Sequence, residues 1–485
     1  MEPINWNSFL KVNKMRKVKV AIIGAGTAGL SARREVERIT KDYVVIDDGP
    51  LGTTCARIGC MPSKVLIQAA NDFHRRTALE QEGIHGGTSL SVDHQQVLQH
   101  VRKLRDRFTG GVLKAIDSWK SEHLIAKRAR FVDNHTLDLG DEKIWAEKII
   151  IATGSSPILP GPWKEFSEYL IPTNDFFELE TFPKRVAVIG LGVIGIELGQ
   201  AMHRLGVEVV GVGLGKEIGG LSDPEIQDYA AQTLSSEMTL SFEGVEGFEK
   251  TTSGILVKTK SQSWEVDKVV VAVGRSANVK NLGLENTDVP LDSKGLPIFN
   301  ANTGQVGDLP IFIGGDANSD RPLLHEAADE GRIAGYNAVA ESPQCFQRRT
   351  GLGITFTSPN IATVGRRHKE LIESKIDFVT GSVSFEGQGR SLVKIANKGL
   401  LNIYAHRKTG MILGAELMAP DGEHLAHLIA WVISFEKNVH EVLSLPFYHP
   451  VIEEGLRTAF RDVAGKVEGT LSPLETLRCQ DTIVI

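Results

Sequence analysis

Two glycine fingerprints each close an apolar strand run, and each is followed by its own return strand. After Gly353 the pattern changes to short alternating strands. Together these features predict an α/β chain with two Rossmann-like dinucleotide-binding domains and a C-terminal α+β domain. The boundaries read as an arm over residues 1–14, a first dinucleotide domain over 15–154, a second over 155–276, a return to the first over 277–346, the α+β domain over 347–470, and a tail over 471–485. At 485 residues the chain is too long for a single hydrophobic core. Its 24% charged and 41% hydrophobic residues are ordinary for a globular protein. A net charge of −6 argues against nucleic acid or an anionic membrane as a partner. The best apolar candidate for a membrane span, 425–435, is short and contains His427. The first six residues have no apolar core of signal-peptide length. Four cysteines in so long a chain fit a reducing compartment, so the expected location is cytoplasmic.

The first strand run, 17–23, ends in Gly24-Ala25-Gly26-Thr27-Ala28-Gly29. Glycines here let the backbone approach a pyrophosphate, and the following helix points its N-terminus at the charge. Such a turn also arises for packing alone, and context is what favours a nucleotide. A second apolar strand, Tyr43-Val44-Val45-Ile46, ends in Asp47, 18 residues after the last glycine, where an acid can bind a ribose 2′-hydroxyl. A long helical pattern covers 93–119, and polar, turn-rich sequence follows as a small antiparallel excursion. Lys148-Ile149-Ile150-Ile151-Ala152-Thr153-Gly154 then returns to the sheet.

The repeat begins with a strand at 185–189, closed by Gly190-Leu191-Gly192-Val193-Ile194-Gly195 and a helix through Leu205. Its return strand, Lys268 to Gly274, echoes Lys148 to Gly154. The copies differ 18 residues after the last glycine, where Gly213 replaces Asp47. No arginine lies between Val207 and Gly220 to hold a 2′-phosphate; Lys216 could help or could be solvated surface. These residues lean only weakly toward NAD. A third buried strand ends in Ile313-Gly314-Gly315-Asp316, whose acid could reach a cofactor hydroxyl or cap the turn, and a helix follows over 324–340. In the last domain, strands are expected at 377–385, 391–396, 400–406 and 411–418, with helices at 422–436 and 452–463. Between the helices lies Pro446-Phe447-Tyr448-His449-Pro450 with Glu453 and Glu454 beyond, either a base with its orienting acid or a structural loop.

Chemistry concentrates at Gly52-Thr53-Thr54-Cys55-Ala56-Arg57-Ile58-Gly59-Cys60-Met61-Pro62-Ser63-Lys64. An ideal helix would put i and i+5 roughly 8–9 Å apart at Cα, beyond the roughly 4.4–6.8 Å of a disulfide. A strand would put them roughly 16 Å apart. A bond between Cys55 and Cys60 therefore needs a bent turn, which Gly59 permits. Pro62 favours an extended residue before it and a helix after it, which would place Cys60 near a helix N-terminus that stabilises a thiolate. The other reading, two unbonded buried cysteines, stands beside the redox pair on spacing alone. No second cysteine or histidine pair lies nearby to complete a zinc site, and no metal is expected. Cys345 and Cys479 have no evident partner and read as structural.

This combination of fingerprint, CxxxxC with Pro-Ser-Lys, second fingerprint, Gly-Asp strand and His-Pro segment resembles the FAD-dependent pyridine nucleotide–disulfide oxidoreductases. The resemblance runs from about Val18 to Val467. Within the family the chain is most similar to the dihydrolipoyl dehydrogenases, on Met61 to Lys64, Val273-Gly274-Arg275, Gly315-Asp316 and His449-Pro450. The resemblance implies an FAD domain, an NAD domain and a dimerisation domain. It implies that Gly24, Gly26, Gly29 and Asp47 hold the adenosine half of FAD and that Asp316 takes its ribityl chain. Gly190, Gly192 and Gly195 would bind the nicotinamide dinucleotide, and Thr54, Thr153, Gly154, Gly274 and Gly315 would complete the cofactor contacts. Cys60 would face the flavin while Cys55 exchanges with a substrate dithiol. Lys64 would sit by the flavin and pair with Glu197. His449, oriented by Glu454, would act as base in the partner subunit's site, which makes the protein a homodimer. Its partners would be the lipoyl domains of a 2-oxoacid dehydrogenase or related complex.

Ala56-Arg57-Ile58-Gly59, Thr53 in place of a commoner glycine, and Phe447-Tyr448 depart from the family pattern and bear on the substrate more than on the reaction. A single tail cysteine, Cys479, disfavours mercuric and large thioredoxin reductases, which carry an extra C-terminal pair. The alternatives are a reductase of another disulfide, or a flavoprotein that keeps the fold as a binding or assembly component.

Overall fold

The computed structural model describes residues 15–468 and 475–476. The arm at 1–14 and Cys479 in the tail lie outside the described residues. The protein is mixed α/β and forms two compact units. One takes in the described residues to Met61, Lys103–Ser156 and Arg275–Arg348; the other takes in Pro62–Arg102, Pro157–Gly274 and the described residues from Arg349 on.

The first unit is built on a seven-stranded sheet. Met15–Ile23 lies at its centre, flanked in parallel by Tyr43–Ile46 on one side and Lys143–Ile151 on the other. Ile311–Ile313 also runs parallel to Lys143–Ile151. Val20, Ala21, Ile22, Val44, Val45, Ile149, Ile150 and Ile151 are buried, as expected for parallel strands covered on both faces. Each fully buried aliphatic side chain of this kind contributes ~1.5–3 kcal/mol. The polar stretch after the helix His94–Asp117 forms the expected antiparallel excursion, Arg130–Phe131, Thr136–Asp138 and the start of Lys143–Ile151.

The second unit holds a parallel five-stranded sheet in the order Thr239–Ser241, Glu208–Val212, Arg185–Ile189, Lys268–Val271, Leu170–Pro172. Its C-terminal part is an antiparallel five-stranded sheet in the order Leu352–Thr355, Asn360–Gly365, Ile412–Ala419, Leu400–His406, Phe378–Ser384. The helices Gly422–Ser434 and Glu454–Ala464 bury Leu425, Ala426, Ile429, Leu456, Ala459 and Phe460 in the same apolar cluster as this sheet.

The stretch 391–396, expected as a strand, is instead a short helix, Gly389–Val393, and a turn. Gln388 caps it by accepting the Ser391 N–H at 2.7 Å. Leu392 and Val393 are 51% and 65% exposed, so the apolar alternation had no buried face to join. Two strands, Leu352–Thr355 and Asn360–Gly365, were not anticipated individually. Among the described residues, no helix is long and apolar enough to cross a membrane.

Candidate active site and dinucleotide cradles

The two fingerprints make the same close backbone approaches at matching glycines. Gly24 has φ +109°, and a Cβ there would lie 2.3 Å from the Ala152 carbonyl oxygen; Gly190 has φ +99° and would meet the Ala272 oxygen at 2.3 Å. A Cβ on Gly29 would fall 1.9 Å from the Gly24 oxygen, and one on Gly195 would fall 1.8 Å from the Gly190 oxygen. Those four glycines are dictated by close packing of strand, turn and helix. Gly26 and Gly192 are different, because nothing lies within 4 Å of the Cβ each lacks. Each is the N-cap of its helix, Thr27–Ile39 or Val193–Arg204, and neither helix has a side-chain cap. Open space in front of uncapped backbone N–H groups is what a pyrophosphate needs.

Around the first cradle, Asp47 ends its strand with both oxygens in use, Oδ2 accepting the Ala25 N–H at 2.6 Å and Oδ1 the Gly49 N–H at 2.6 Å. The Thr153 hydroxyl is buried without a protein partner, a further polar atom suited to a bound cofactor. Asp316 stands in the turn Gly315–Asn318 and accepts the Ser155 hydroxyl at 2.6 Å. Ser155 in turn accepts from Arg275 Nε at 2.8 Å, and Arg275 Nη2 donates to the Ser155 carbonyl at 2.7 Å. Burial pulls the Arg275 guanidinium below its usual value, against the charge of Asp316. The turn itself is held by Glu330, which sequence reasoning missed. Its buried carboxylate accepts the Gly315 N–H at 2.6 Å and the Asn318 side chain at 2.7 Å. Burial raises the Glu330 carboxyl above its usual value even though Arg348 stands 2.7 Å away.

The cysteine segment is bent. Gly52, at φ +112°, leaves no room for a side chain, since a Cβ would lie 2.7 Å from Thr109. Thr53 caps the short helix Thr54–Ile58 by accepting the Ala56 N–H at 3.3 Å. The exposed Thr54 starts this helix and Cys55 follows it, half-buried. At Gly59, φ −125° and ψ −119° break the helix, and a Cβ would stand 3.2 Å from Cys55 Cα. Cys60, exposed, is the first residue of the helix Cys60–Leu79. Met61 was expected to be extended before Pro62, but it lies within that helix; Pro62 occupies the first turn, where its missing N–H costs nothing. Arg57 donates to the Pro50 carbonyl at 3.1 Å. Cys345, read as structural, is exposed.

In the second unit, Lys64 Nζ meets both oxygens of Glu197 at 3.0 and 2.8 Å. Glu197 lies in the helix that opens at the second fingerprint and is 3% exposed. It also accepts the Phe356 N–H at 2.8 Å, while Lys64 lies 4.5 Å above the Phe356 ring. The Lys64 side chain is therefore held in one position.

His449 Nδ1 lies 3.0 and 3.1 Å from the two oxygens of Glu454. The second acid, Glu453, is the helix N-cap residue and does not engage the ring. The hydrogen bond from His449 holds the Glu454 carboxyl below its usual value, against the opposing effect of burial. An ionised carboxylate is an acceptor only, so Nδ1 carries the proton and Nε2 is the basic nitrogen. Phe447 packs on the C-terminal core, and Tyr448 is 79% exposed.

Residues 18–331 match the pyridine nucleotide–disulphide oxidoreductase family, and 352–460 match its dimerisation domain. A dihydrolipoyl dehydrogenase from Haloferax volcanii is 31% identical over 472 residues, covering 94% of this chain and 98% of that protein. A mercuric reductase from Staphylococcus aureus is 28% identical over 450 residues, covering 90% and 81%. The solved Cu(II) complex of the HOCl-induced flavoprotein disulfide reductase RclA from Escherichia coli has the same fold, with a TM-score of 0.79 at 21% identity over 92% of this chain and 99% of that one. The doubled cradle thus has its explanation: the chain belongs to the pyridine nucleotide–disulphide oxidoreductases, and its cofactors are FAD and NAD(P).

Proposed function

We propose that this protein is a dihydrolipoyl dehydrogenase. It oxidises dihydrolipoamide carried on the lipoyl domains of a 2-oxoacid dehydrogenase or related complex, acts as a homodimer, and delivers the electrons to NAD⁺. The observation that carries this reading is the His449–Glu454 pair, with its two contacts of 3.0 and 3.1 Å. Dithiol oxidation needs a base, because only the thiolate attacks a disulfide. His449 Nε2 takes the proton from the first substrate thiol, and Glu454 stabilises the imidazolium that forms. The resulting thiolate attacks Cys55 Sγ, breaking the Cys55–Cys60 disulfide of the oxidised protein and leaving Cys60 as a thiolate. The second substrate sulfur attacks the substrate sulfur bonded to Cys55, its proton passing to the departing Cys55 sulfur, so Cys55 leaves as a thiol and the substrate leaves as its disulfide. The position of Cys60 at the start of a helix of 20 residues favours its thiolate form. The chemistry that FAD supplies when bound is acceptance of the electron pair and its passage as hydride to the nicotinamide. Gly24, Gly26, Gly29 and Asp47 would hold its adenosine half, with Thr54, Thr153, Gly154, Gly315 and Asp316 further along it. Lys64, pinned by Glu197, would supply a positive charge to the bound flavin, and Gly190, Gly192, Gly195 and Gly274 would receive the pyridine nucleotide.

A second reading is a reductase of another disulfide or of a thiol-bound metal. It is favoured by the 28% identity to a mercuric reductase and by the exposed Tyr448 beside His449. The deciding experiment is oxidation of dihydrolipoamide by the purified holoenzyme with NAD⁺ and with NADP⁺, run beside reduction of glutathione disulfide and mercuric ion. Rapid turnover of dihydrolipoamide alone supports the first reading. Flavin that is reduced by NADH, with no dihydrolipoamide turnover, overturns it.

A further inference from the structure

We propose that Leu191 and Gly213 together make the second cradle indifferent to a phosphate on the adenosine ribose, so that NADP(H) enters as readily as NAD(H). This inference rests on the second fingerprint being the pyridine-nucleotide site and is independent of which dithiol is oxidised.

The two cradles of this chain can be compared position by position. In the first, Ile23 registers with Ile46, the Gly24 N–H reaches the Ile46 oxygen at 2.8 Å, and the next residue is Asp47. In the second, Ile189 registers with Val212, the Gly190 N–H reaches the Val212 oxygen at 2.8 Å, and the next residue is Gly213. The backbones are equivalent, but two side chains have changed together. The first cradle places small Ala25 beside the acid Asp47, whose Oδ2 accepts the Ala25 N–H. The second places bulky Leu191 beside no side chain at all.

That exchange is steric. A Cβ on Gly213 would fall 2.8 Å from Leu191 Cδ1 and 3.0 Å from its Cγ. A Cβ on Gly211 would likewise fall 2.9 Å from Leu191 Cδ2. Leu191 cannot swing clear, because it is 3% exposed and packed in a core cluster with Ile196, Ile218 and Leu221. Leu191 thus occupies the volume in which an acid at 213 would stand.

An acid at this position selects NAD twice, by binding the ribose 2′-hydroxyl and by repelling a 2′-phosphate. Both effects are removed here. The nearby charges do not replace them. Lys216, the cation nearest along the chain, is paired with Asp228 at 2.6 Å, and no arginine lies between Val207 and Gly220 to attract the phosphate. The carboxylate of Glu243 is taken up by the Ser261 N–H, the Ser261 hydroxyl and the Thr259 hydroxyl. With no acid at 213, no arginine between Val207 and Gly220 and the Lys216 and Glu243 charges already engaged, the ribose end lacks the groups that would discriminate.

The test is calorimetric titration of the full-length FAD-loaded protein with ADP-ribose and with its 2′-phosphorylated form, probes that carry the distinguishing group and no nicotinamide. The wild type is expected to bind both with dissociation constants within about threefold of each other. Gly213→Asp alone should weaken both probes without creating a preference, since Leu191 still fills the space. Leu191→Ala combined with Gly213→Asp rebuilds the Ala25–Asp47 arrangement and should favour the unphosphorylated probe by at least about tenfold. FAD content and circular dichroism report whether each variant is folded. The wild-type ratio needs no variant, and a wild-type preference above about tenfold for either probe overturns the proposal. A preference created by Gly213→Asp alone also overturns it. If neither probe binds FAD-loaded wild type, the assignment of the second cradle fails and the proposal with it, an outcome separable from any failure to turn over dihydrolipoamide.

Discussion

Thr53 holds φ 62° and ψ 146°, a left-handed-side conformation that costs a side chain of order 1–3 kcal/mol and costs glycine almost nothing. Its hydroxyl recovers part of this by capping Thr54–Ile58, a role that glycine loses at a cost of only a few tenths of a kcal/mol. Thr53→Gly is therefore expected to raise stability by about 1 kcal/mol, checked by chemical denaturation of the FAD-loaded protein. At His449 the question is chemical. His449→Gln should slow the dithiol half-reaction by roughly 10²–10⁴-fold while leaving flavin reduction by NADH near its original rate, as resolved by stopped-flow absorbance. Equal slowing of both halves would remove the assignment of His449 as dithiol base. Spacing alone offered both Glu453 and Glu454 to His449 and did not choose between them; the preference for Glu454 came from the family resemblance, and Glu454 is the acid that contacts the ring in the structure. Glu330 was not legible. Its partners Gly315 and Asn318 precede it by 15 and 12 residues, and a glutamate in an amphipathic helix reads as solvated surface until burial is known.

At the scale of elements, the fingerprints were legible because their glycines answer to contacts made within one strand–turn–helix unit and its return strand. The strand expected at 391–396 failed for the opposite reason: alternation marks a strand only when a neighbouring sheet offers a face, and exposed Leu392 and Val393 found none. Helix Val193–Arg204, which presents Glu197 to Lys64, is anchored at its other end by an ion pair that no local pattern announced. Arg204 Nε and Nη2 meet the two oxygens of Glu237 at 2.5 and 3.0 Å, and further donors reach Asn71 and the Ser358 carbonyl. The side chains of Arg204 and Glu237 are 5% and 17% exposed. Burial pushes the Glu237 carboxyl up, but the hydrogen bond and charge of Arg204 pull it further down, leaving it below its usual value. Arg204→Met leaves that carboxylate buried without its partner and should cost about 3–5 kcal/mol at neutral pH. A depressed carboxyl contributes stability above its unfolded pKa and loses it as pH falls through the folded value. The gap between wild type and Arg204→Met, followed by denaturation across pH, should therefore narrow on the acid side. A gap that stays constant with pH would assign the loss to packing alone.

The proposed function assigns a redox segment near residue 60 and a base at residue 449 to one reaction. In the proposed homodimer each subunit supplies the cysteines of one site and the histidine of the other. This arrangement makes a prediction that a single-subunit site cannot share. Cys55→Ser and His449→Gln homodimers should each be inactive or nearly so in dithiol oxidation. When the two are co-unfolded and refolded together, or co-expressed with different affinity tags, half the dimers should be mixed. In a mixed dimer, one site combines intact cysteines from the His449→Gln subunit with intact His449 from the Cys55→Ser subunit, and the other site carries both lesions. With two-fold symmetry, activity should recover to about a quarter of wild type per flavin in the unfractionated mixture, and to about half in the purified mixed dimer. If the base served its own subunit, every site in the mixture would keep exactly one lesion and no activity would return. Dilution supplies the companion measurement. Because each site would need residues from two chains, dithiol turnover should fall as the protein is diluted below its dimer dissociation constant, while FAD, whose proposed contacts all lie in one chain, should stay bound.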